Sequence, residues 1–321
     1  MSTDTQSSGQ ASNDMVSLRE DETQRQPDSL QQRALNRFLR HRMAVIGMTL
    51  LLLIIGYVTI GSIFYTEAFA NYNDTGLRLL PPSIEHPMGT DTIGRDILAR
   101  TIYGGQISLL IALSAVLTSV TIGVTVGVLS GYYGGWLDIT LMRLAEAMLS
   151  IPSLLLLLVM ANFLAGSVGE ITFLGRTFSG SVIVIIVIIG LTSWMYLARI
   201  VRSNVLTLKE TEFVTAARAL GAPNTRIILR HVLPNTVAPI IVAATLGVAT
   251  AILQEAYISF LGVGVRPPTA TWGNMLDGSR QYIEDAPWLW IFPGMLILLT
   301  VLSINFVGDG LRDALDPRSD R

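Results

Sequence analysis

The chain contains no cysteine and only three histidines. The first absence removes disulfide frameworks, thiolate metal sites and cysteine nucleophiles. His41, His86 and His231 are far apart and none belongs to a ligand-spaced pair, so no metal site is expected. Charge is scarce as well: Asp, Glu, Lys and Arg make up 14% of 321 residues, against roughly a quarter in an ordinary soluble domain. The net charge of −2 provides no basic excess to neutralise phosphates, which excludes nucleic acid as a partner. No Ser/Lys, His/Glu or double-Asp constellation falls within the apolar stretches, so no catalytic residue is expected.

What the chain has in abundance is apolar sequence, 50% of all residues. A bilayer core of roughly 30 Å asks about 20 apolar residues of a spanning helix. Six runs meet this: Met43–Phe64, Ile107–Ser130, Ile139–Leu164 with Pro152 inside it, Ser181–Ile200, Val237–Tyr257 and Trp288–Val307. In lipid each span must satisfy its own backbone hydrogen bonds. The expected fold is therefore an all-α integral membrane protein with six transmembrane helices.

Arginine and lysine set the orientation. Sixteen of the 22 fall in the N-terminal tail, the second and fourth connections and the C-terminus, which share one side of a six-span protein. Both termini are therefore expected in the cytosol. Residues 1–42 read as a cytosolic, mostly disordered tail, polar and without apolar period up to about residue 30. The apolar run that follows is too long for a signal peptide and lacks a small-residue cleavage site. Residues 43–321 then form the transmembrane domain, with an outer loop at about 65–105 and a cytosolic loop at about 202–235.

Several features bear on chemistry. GTDTIGRD, Gly89–Asp96, has phosphate-loop spacing, but Arg95 stands where the lysine belongs and Asp96 where a hydroxyl would hold magnesium. The simpler expectation is a helix capped by Asp91 or Thr92, with an Asp96–Arg100 ion pair on an interfacial helix. Glu255, beside Gln254 near the outer end of the fifth span, either faces a central pathway as a gate or packs against a neighbour at the outer interface. Arg143 and Glu146 are spaced for a structural i,i+3 pair. Pro152, Pro239 and Pro293 are candidate kinks. Gly123, Gly127 and Gly131, spaced by four, make one small helix face suited to close helix packing, a subunit interface included.

The segment TEFVTAARALGAPNTRIILRHVLPN, Thr211–Asn235, has the Ala217, Gly221, Ile227 spacing of a helix-turn-helix. Thr211 can cap a helix over 212–220, Gly221 can end it in a left-handed turn, and Pro223 can open the next helix. Pro234 is expected to end that second helix before the fifth span. With both ends tethered to the bilayer and too few residues for a free DNA-binding core, the element suits docking of another protein.

That segment also carries a family resemblance. Thr215-Ala216-Ala217, three residues, Gly221, nine residues, then His231-x-Leu233-Pro234 resembles the EAA signature of ABC-importer permeases, Glu-Ala-Ala-x3-Gly-x9-Ile-x-Leu-Pro. Thr215 replaces the signature's glutamate and His231 its isoleucine. HPMGTDTIGRDILARTIYGGQISL, SGYYGGWLDITLMR, LSIPSLLL, SFLGVGVRPPTATWGNML, APWLWIFPG and NFVGDGLRDALDPR extend the likeness in order over most of residues 86–318. As a whole the chain resembles the C-type permease of dipeptide/oligopeptide importers.

The resemblance implies type I ABC-importer permease architecture in a bacterial cytoplasmic (inner) membrane. It implies half of a translocation pathway, completed by a second homologous permease, a heterodimer being favoured over two identical copies. It also implies two cytosolic ATPase subunits, which would bind ATP and Mg, and an extracytoplasmic solute-binding protein. No cofactor is expected on this chain itself. Thr215, Ala216, Ala217, Arg218, Leu220, Gly221 and Ala222 would form the ATPase coupling surface, with His231, Leu233 and Pro234 at the loop's end. Peptides are the implied solute, although close relatives carry nickel chelates, glutathione or oligosaccharides. A standalone channel, the competing class, would leave the docking segment without a task.

Overall fold

The computed structural model describes residues 30–173 and 176–316. Helix α1 (Leu30–Arg40) leads through His41 into α2 (Arg42–Phe64), and His41 Nδ1 caps α2 by accepting from the Ala44 amide at 3.0 Å. A short α3 (Glu67–Asn71) and an irregular loop precede α4 (Ile97–Tyr133). Gly134 and Gly135 both adopt left-handed φ, +66° and +59°. Such a pair is readily available only to glycine, and it turns the chain into α5 (Gly135–Leu149). Next come α6 (Ser153–Phe163), an antiparallel hairpin of β1 (Ile171–Phe173) and β2 (Arg176–Phe178), α7 (Ser181–Leu208) and α8 (Glu212–Ala219). Then α9 (Asn224–Ile227), a π-turn (Ile228–Val232) and α10 (Leu233–Phe260) follow in one helical path, and α11 (Trp272–Asp277) and α12 (Trp288–Leu315) complete the order.

Among the described residues, five helical stretches are long and apolar enough to cross a membrane: α2, α4, α7, Asn224–Phe260 and α12. The third apolar run differs from one continuous span. It is broken at Ser150–Pro152 into α5 and α6, which meet at 89°, and counts as a sixth span only as a bent pair. Pro152 lacks the amide that would continue the ladder and so becomes the first residue outside α6. Helix α4 begins ten residues before its apolar run because its first turns are covered by protein: Ile97, Arg100, Thr101 and Tyr103 are all buried.

Helices α4 and α7 form the centre. The glycine stripe is the reason they come so close. A Cβ on Gly127 would lie 2.6 Å from the Ala198 carbonyl oxygen and 2.7 Å from Val201 Cβ, while Gly123 and Gly131 face Leu197 and Val205 in the same way. The small face is thus spent within the chain, on α7, and not on a subunit interface. At one end of the bundle, Phe38, Ala44, Val307 and Ala314 gather α1, α2 and α12; the opposite end carries the long loops. The tail expected to be mostly disordered is helical over Leu30–Arg40, and its remainder, 1–29, lies outside the described residues.

Candidate functional site

The connection between α7 and α10 is a helical hairpin. Thr211 precedes α8 but does not cap it with its side chain; its hydroxyl donates backwards to the Leu208 carbonyl at 2.6 Å. Gly221 has φ +78°. The turn closes in Schellman fashion, with the Ala222 amide donating to the Ala217 carbonyl at 3.1 Å and the Gly221 amide to that of Arg218 at 3.0 Å. Pro223 sits just outside α9, one position earlier than a first-turn proline.

Pro234 does not end the second helix. The Leu233 amide reaches back to the Ile228 carbonyl, five residues away, and this widened turn makes room for the proline ring where an α-turn would press it onto the Arg230 carbonyl. The hairpin's second arm and the span beyond it therefore form one path of 37 residues, Asn224–Phe260.

Val214, Ile227 and Val232 are fully buried and plug the hairpin into Val128, Tyr132, Val201 and Val205. Two polar tethers assist: Lys209 Nζ donates to the Gly131 carbonyl at 3.0 Å, and the Tyr132 hydroxyl donates to Asn224 Oδ1 at 3.0 Å. The opposite face is bare. Thr215, Ala216, Arg218, Leu220 and Gly221 are exposed, Leu220 by 89%. Ala217, Ala222 and Leu233 turn inward and pack on the plug, where they set spacing. Thr215 returns its hydroxyl to the Thr211 carbonyl at 3.1 Å. His231 is half-buried with its ring 6.4 Å from that of Phe213, and Pro234 is exposed.

A groove of about 820 Å³ opens between α4, α7, α10 and the end of α12. Aliphatic side chains line much of it, Ser119, Ser193, Asn204, Asn235 and Thr250 add uncharged polar groups, and Tyr196, Arg312 and Asp316 also border it. Its size is that of a small-molecule site. At its head Ser193 donates to Gln254 Oε1 at 3.3 Å.

Glu255 turns away from this groove and has no exposure at all. Ser108 Oγ donates to its Oε2 at 3.0 Å and Ser259 Oγ to its Oε1 at 2.7 Å. Each hydroxyl accepts in turn from a backbone amide, Trp272 for Ser108 and Val265 for Ser259, both at 3.2 Å. With their acceptor positions occupied, both hydroxyls are oriented towards the carboxylate. The residue thus fastens α4, α10 and α11 together, through one hydroxyl on its own helix and one 147 residues distant in sequence.

The Gly89–Asp96 segment is also structural. Asp96, not Asp91 or Thr92, caps α4 through the Ala99 amide at 2.8 Å and receives His86 Nδ1 at 2.8 Å. Asp91 holds Arg95 at 2.6 Å, and buried Arg100 lies 3.9 Å from Asp91 instead of pairing with Asp96. Arg143 and Glu146 do pair, at 3.5 Å on an exposed face. Among the described residues no cluster of three His, Asp or Glu side chains could hold a metal ion.

A bundle of apolar spans with a tethered hairpin and an adjoining groove defines a polytopic membrane transporter subunit. Residues 123–321 match the family described as binding-protein-dependent transport system inner membrane component, and residues 29–82 match the N-terminal transmembrane domain of oligopeptide transport permease C. The chain belongs to this family of ABC-transporter permeases. It is 40% identical over 285 residues, 89% of each chain, to the dipeptide transport system permease protein DppC of Alkalihalophilus pseudofirmus. It is 42% identical over 292 residues to a putative peptide permease protein of Brucella suis, covering 90% of this chain and 91% of that one. Two inward-facing structures of the MetNI methionine ABC transporter share its fold, with TM-scores of 0.52 and 0.53 at 23% identity, over 66% of this chain and 95% of theirs. The architecture is that of a type I importer permease.

Proposed function

We propose that the chain forms half of the translocation pathway of an ATP-driven importer and that it carries peptides by alternating access. The observation that carries this reading is the hairpin: plugged into the bundle on one face, bare on the other, and continuous with the wall of the groove. A second, homologous permease would close the groove, two ATPase subunits would seat the exposed face of α8, and an extracytoplasmic protein would deliver solute. ATP and Mg would be bound by the ATPases. Peptides are favoured because the similar DppC and the Brucella protein are named for dipeptide and peptide transport.

The distribution of basic residues supports a cytosolic hairpin and cytosolic termini in an inner membrane. In the working cycle, closure of the ATPases displaces α8. The buried plug passes that displacement to the Asn224–Phe260 path, roughly 55 Å long at 1.5 Å per residue. Tilting this path moves Asn235, Thr250 and Gln254 relative to α4 and α7, which alters access to the groove.

Affinity purification of the tagged chain in mild detergent, with co-purifying proteins identified by mass, tests the assignment. ATPase subunits and a second permease are expected with the wild type. Gly221→Val adds a β-branched residue at left-handed φ, where no atom crowds it but the backbone resists. This variant is expected to insert normally and to lose the ATPases. Recovery of the wild-type chain alone, or wild-type uptake by the variant, would overturn the assignment.

A further inference from the structure

The transport cycle makes no use of α1, yet its sequence, LQQRALNRFLR, separates polar from apolar residues strongly around the helix. Its position is fixed by contacts. His41 alone joins it to α2, whose apolar run starts at Met43. Phe38 is buried against Ala44, Val307 and Ala314, and Arg37 donates to the Asp316 carbonyl at 3.2 Å. The helix is thereby held where α2 and α12 leave the apolar layer, at the level of the lipid headgroups.

Only one part of its apolar side is used on the protein. Leu35 and Leu39, one turn apart, remain 57% and 59% exposed. Arg33 and Arg40, seven residues apart and so on one stripe, are exposed on the other side, and among the described residues neither has an ion-pair partner. Exposed leucines flanked by free guanidinium groups, at a membrane boundary, match an interfacial helix that meets acyl chains with one side and phosphates with the other. Guanidinium groups bind phosphate through paired donors, which favours phosphate-bearing anionic headgroups over zwitterionic ones.

We infer that α1 is an anionic-lipid anchor in which Leu35 and Leu39 enter the acyl boundary while Arg33 and Arg40 hold phospholipid headgroups. Arg37, engaged with Asp316, ties this anchor to the end of α12, which borders the groove through Arg312 and Leu315.

The test uses the full chain with its co-purifying subunits in nanodiscs of equal phosphatidylglycerol and phosphatidylcholine, read by native mass spectrometry of retained lipid. The wild type is expected to retain phosphatidylglycerol preferentially. Arg33→Gln with Arg40→Gln is expected to reduce that retention roughly fivefold for each arginine removed, about 25-fold together. Arg33→Lys with Arg40→Lys is expected to recover most of it, and raised salt to lower it in the wild type. A photoreactive side chain at position 39 is expected to label lipid. Equal retention of both lipids by the wild type, which requires no variant to fold, would overturn the anchor. So would undiminished retention in the double glutamine variant, or labelling at position 39 that goes to another protein chain.

Discussion

The loop end of the bundle and the helical hairpin at the other end are held by different means. At the loop end, polar groups cross-link elements remote in sequence. Glu255 collects Ser108 and Ser259, Trp272 Nε1 donates to the Thr101 carbonyl at 2.9 Å, and Asn274 Nδ2 reaches the carbonyls of Val265 and Thr269 at 3.1 and 2.9 Å. Arg176 joins the β-hairpin to Glu67 at 2.7 Å and to Gln106 at 2.9 Å, with its guanidinium over the rings of Tyr103 and Phe178. At the other end, three apolar side chains and two polar tethers hold the helical hairpin, whose outer face is exposed. Directional bonds resist sliding, whereas apolar contacts tolerate small shifts because their energy follows buried area. The lever proposed above needs one firm end and one that yields, and this distribution fits that proposal.

The largest effect is expected at the firm end. Glu255→Ala leaves two oriented hydroxyls without an acceptor in a dry interior and opens a cavity between three helices. The cost should be roughly 4 kcal/mol, seen as a fall of roughly 10 °C in thermal unfolding in detergent. Glu255→Gln keeps one acceptor oxygen and should lose about half as much. If both variants unfold like the wild type, the loop end is not held by this carboxylate and the contrast collapses.

Gly127→Val probes the centre, which both ends share. Its side chain would push the Ala198 carbonyl and Val201 apart, and overpacking of this kind costs about 1–3 kcal/mol. The loss should be smaller than for Glu255→Ala, and uptake should fall with it because α4 and α7 both border the groove. A larger loss than that of Glu255→Ala would place the firmest contact at the glycine stripe and not at the loop end.

Much of this arrangement is legible in the chain, and the gaps have physical reasons. Apolar run length located the spans because the bilayer imposes it, but helix ends covered by protein escaped that measure, as at Ile97–Gln106. Gly221 was readable because a left-handed turn is a local demand. The role of Pro234 was not, because a π-turn rescues the helix and leaves no mark in composition. The glycine stripe announced close packing without its partner, since only tertiary register brings Ala198 and Val201 to it. Asp91 and Thr92 were the expected caps; Asp96 takes that place because α4 starts later, at Ile97, where its carboxylate also meets His86. Glu255 stood out as a charge in a span, yet one of its two hydroxyl donors, Ser108, lies on α4, where only tertiary packing brings it. The short hairpin at Ile171–Phe178 was missed outright, its alternation too brief to separate from loop.

The smallest effect on stability, and the sharpest on the comparison, is expected from Leu220→Ser. This side chain touches little and is 89% exposed, so its loss should change unfolding by no more than about 0.5 kcal/mol. An apolar side chain so exposed at the tip of a plugged hairpin has no structural account within the chain; contact with a partner supplies one, because exposed anchors gain most when a pocket desolvates them. Uptake should therefore drop several-fold while thermal unfolding stays at the wild-type value. Parallel losses of stability and uptake would mean that Leu220 serves the fold. Unchanged uptake would remove it from the coupling surface and leave Ala216, Arg218 and the Gly221 turn to carry the contact.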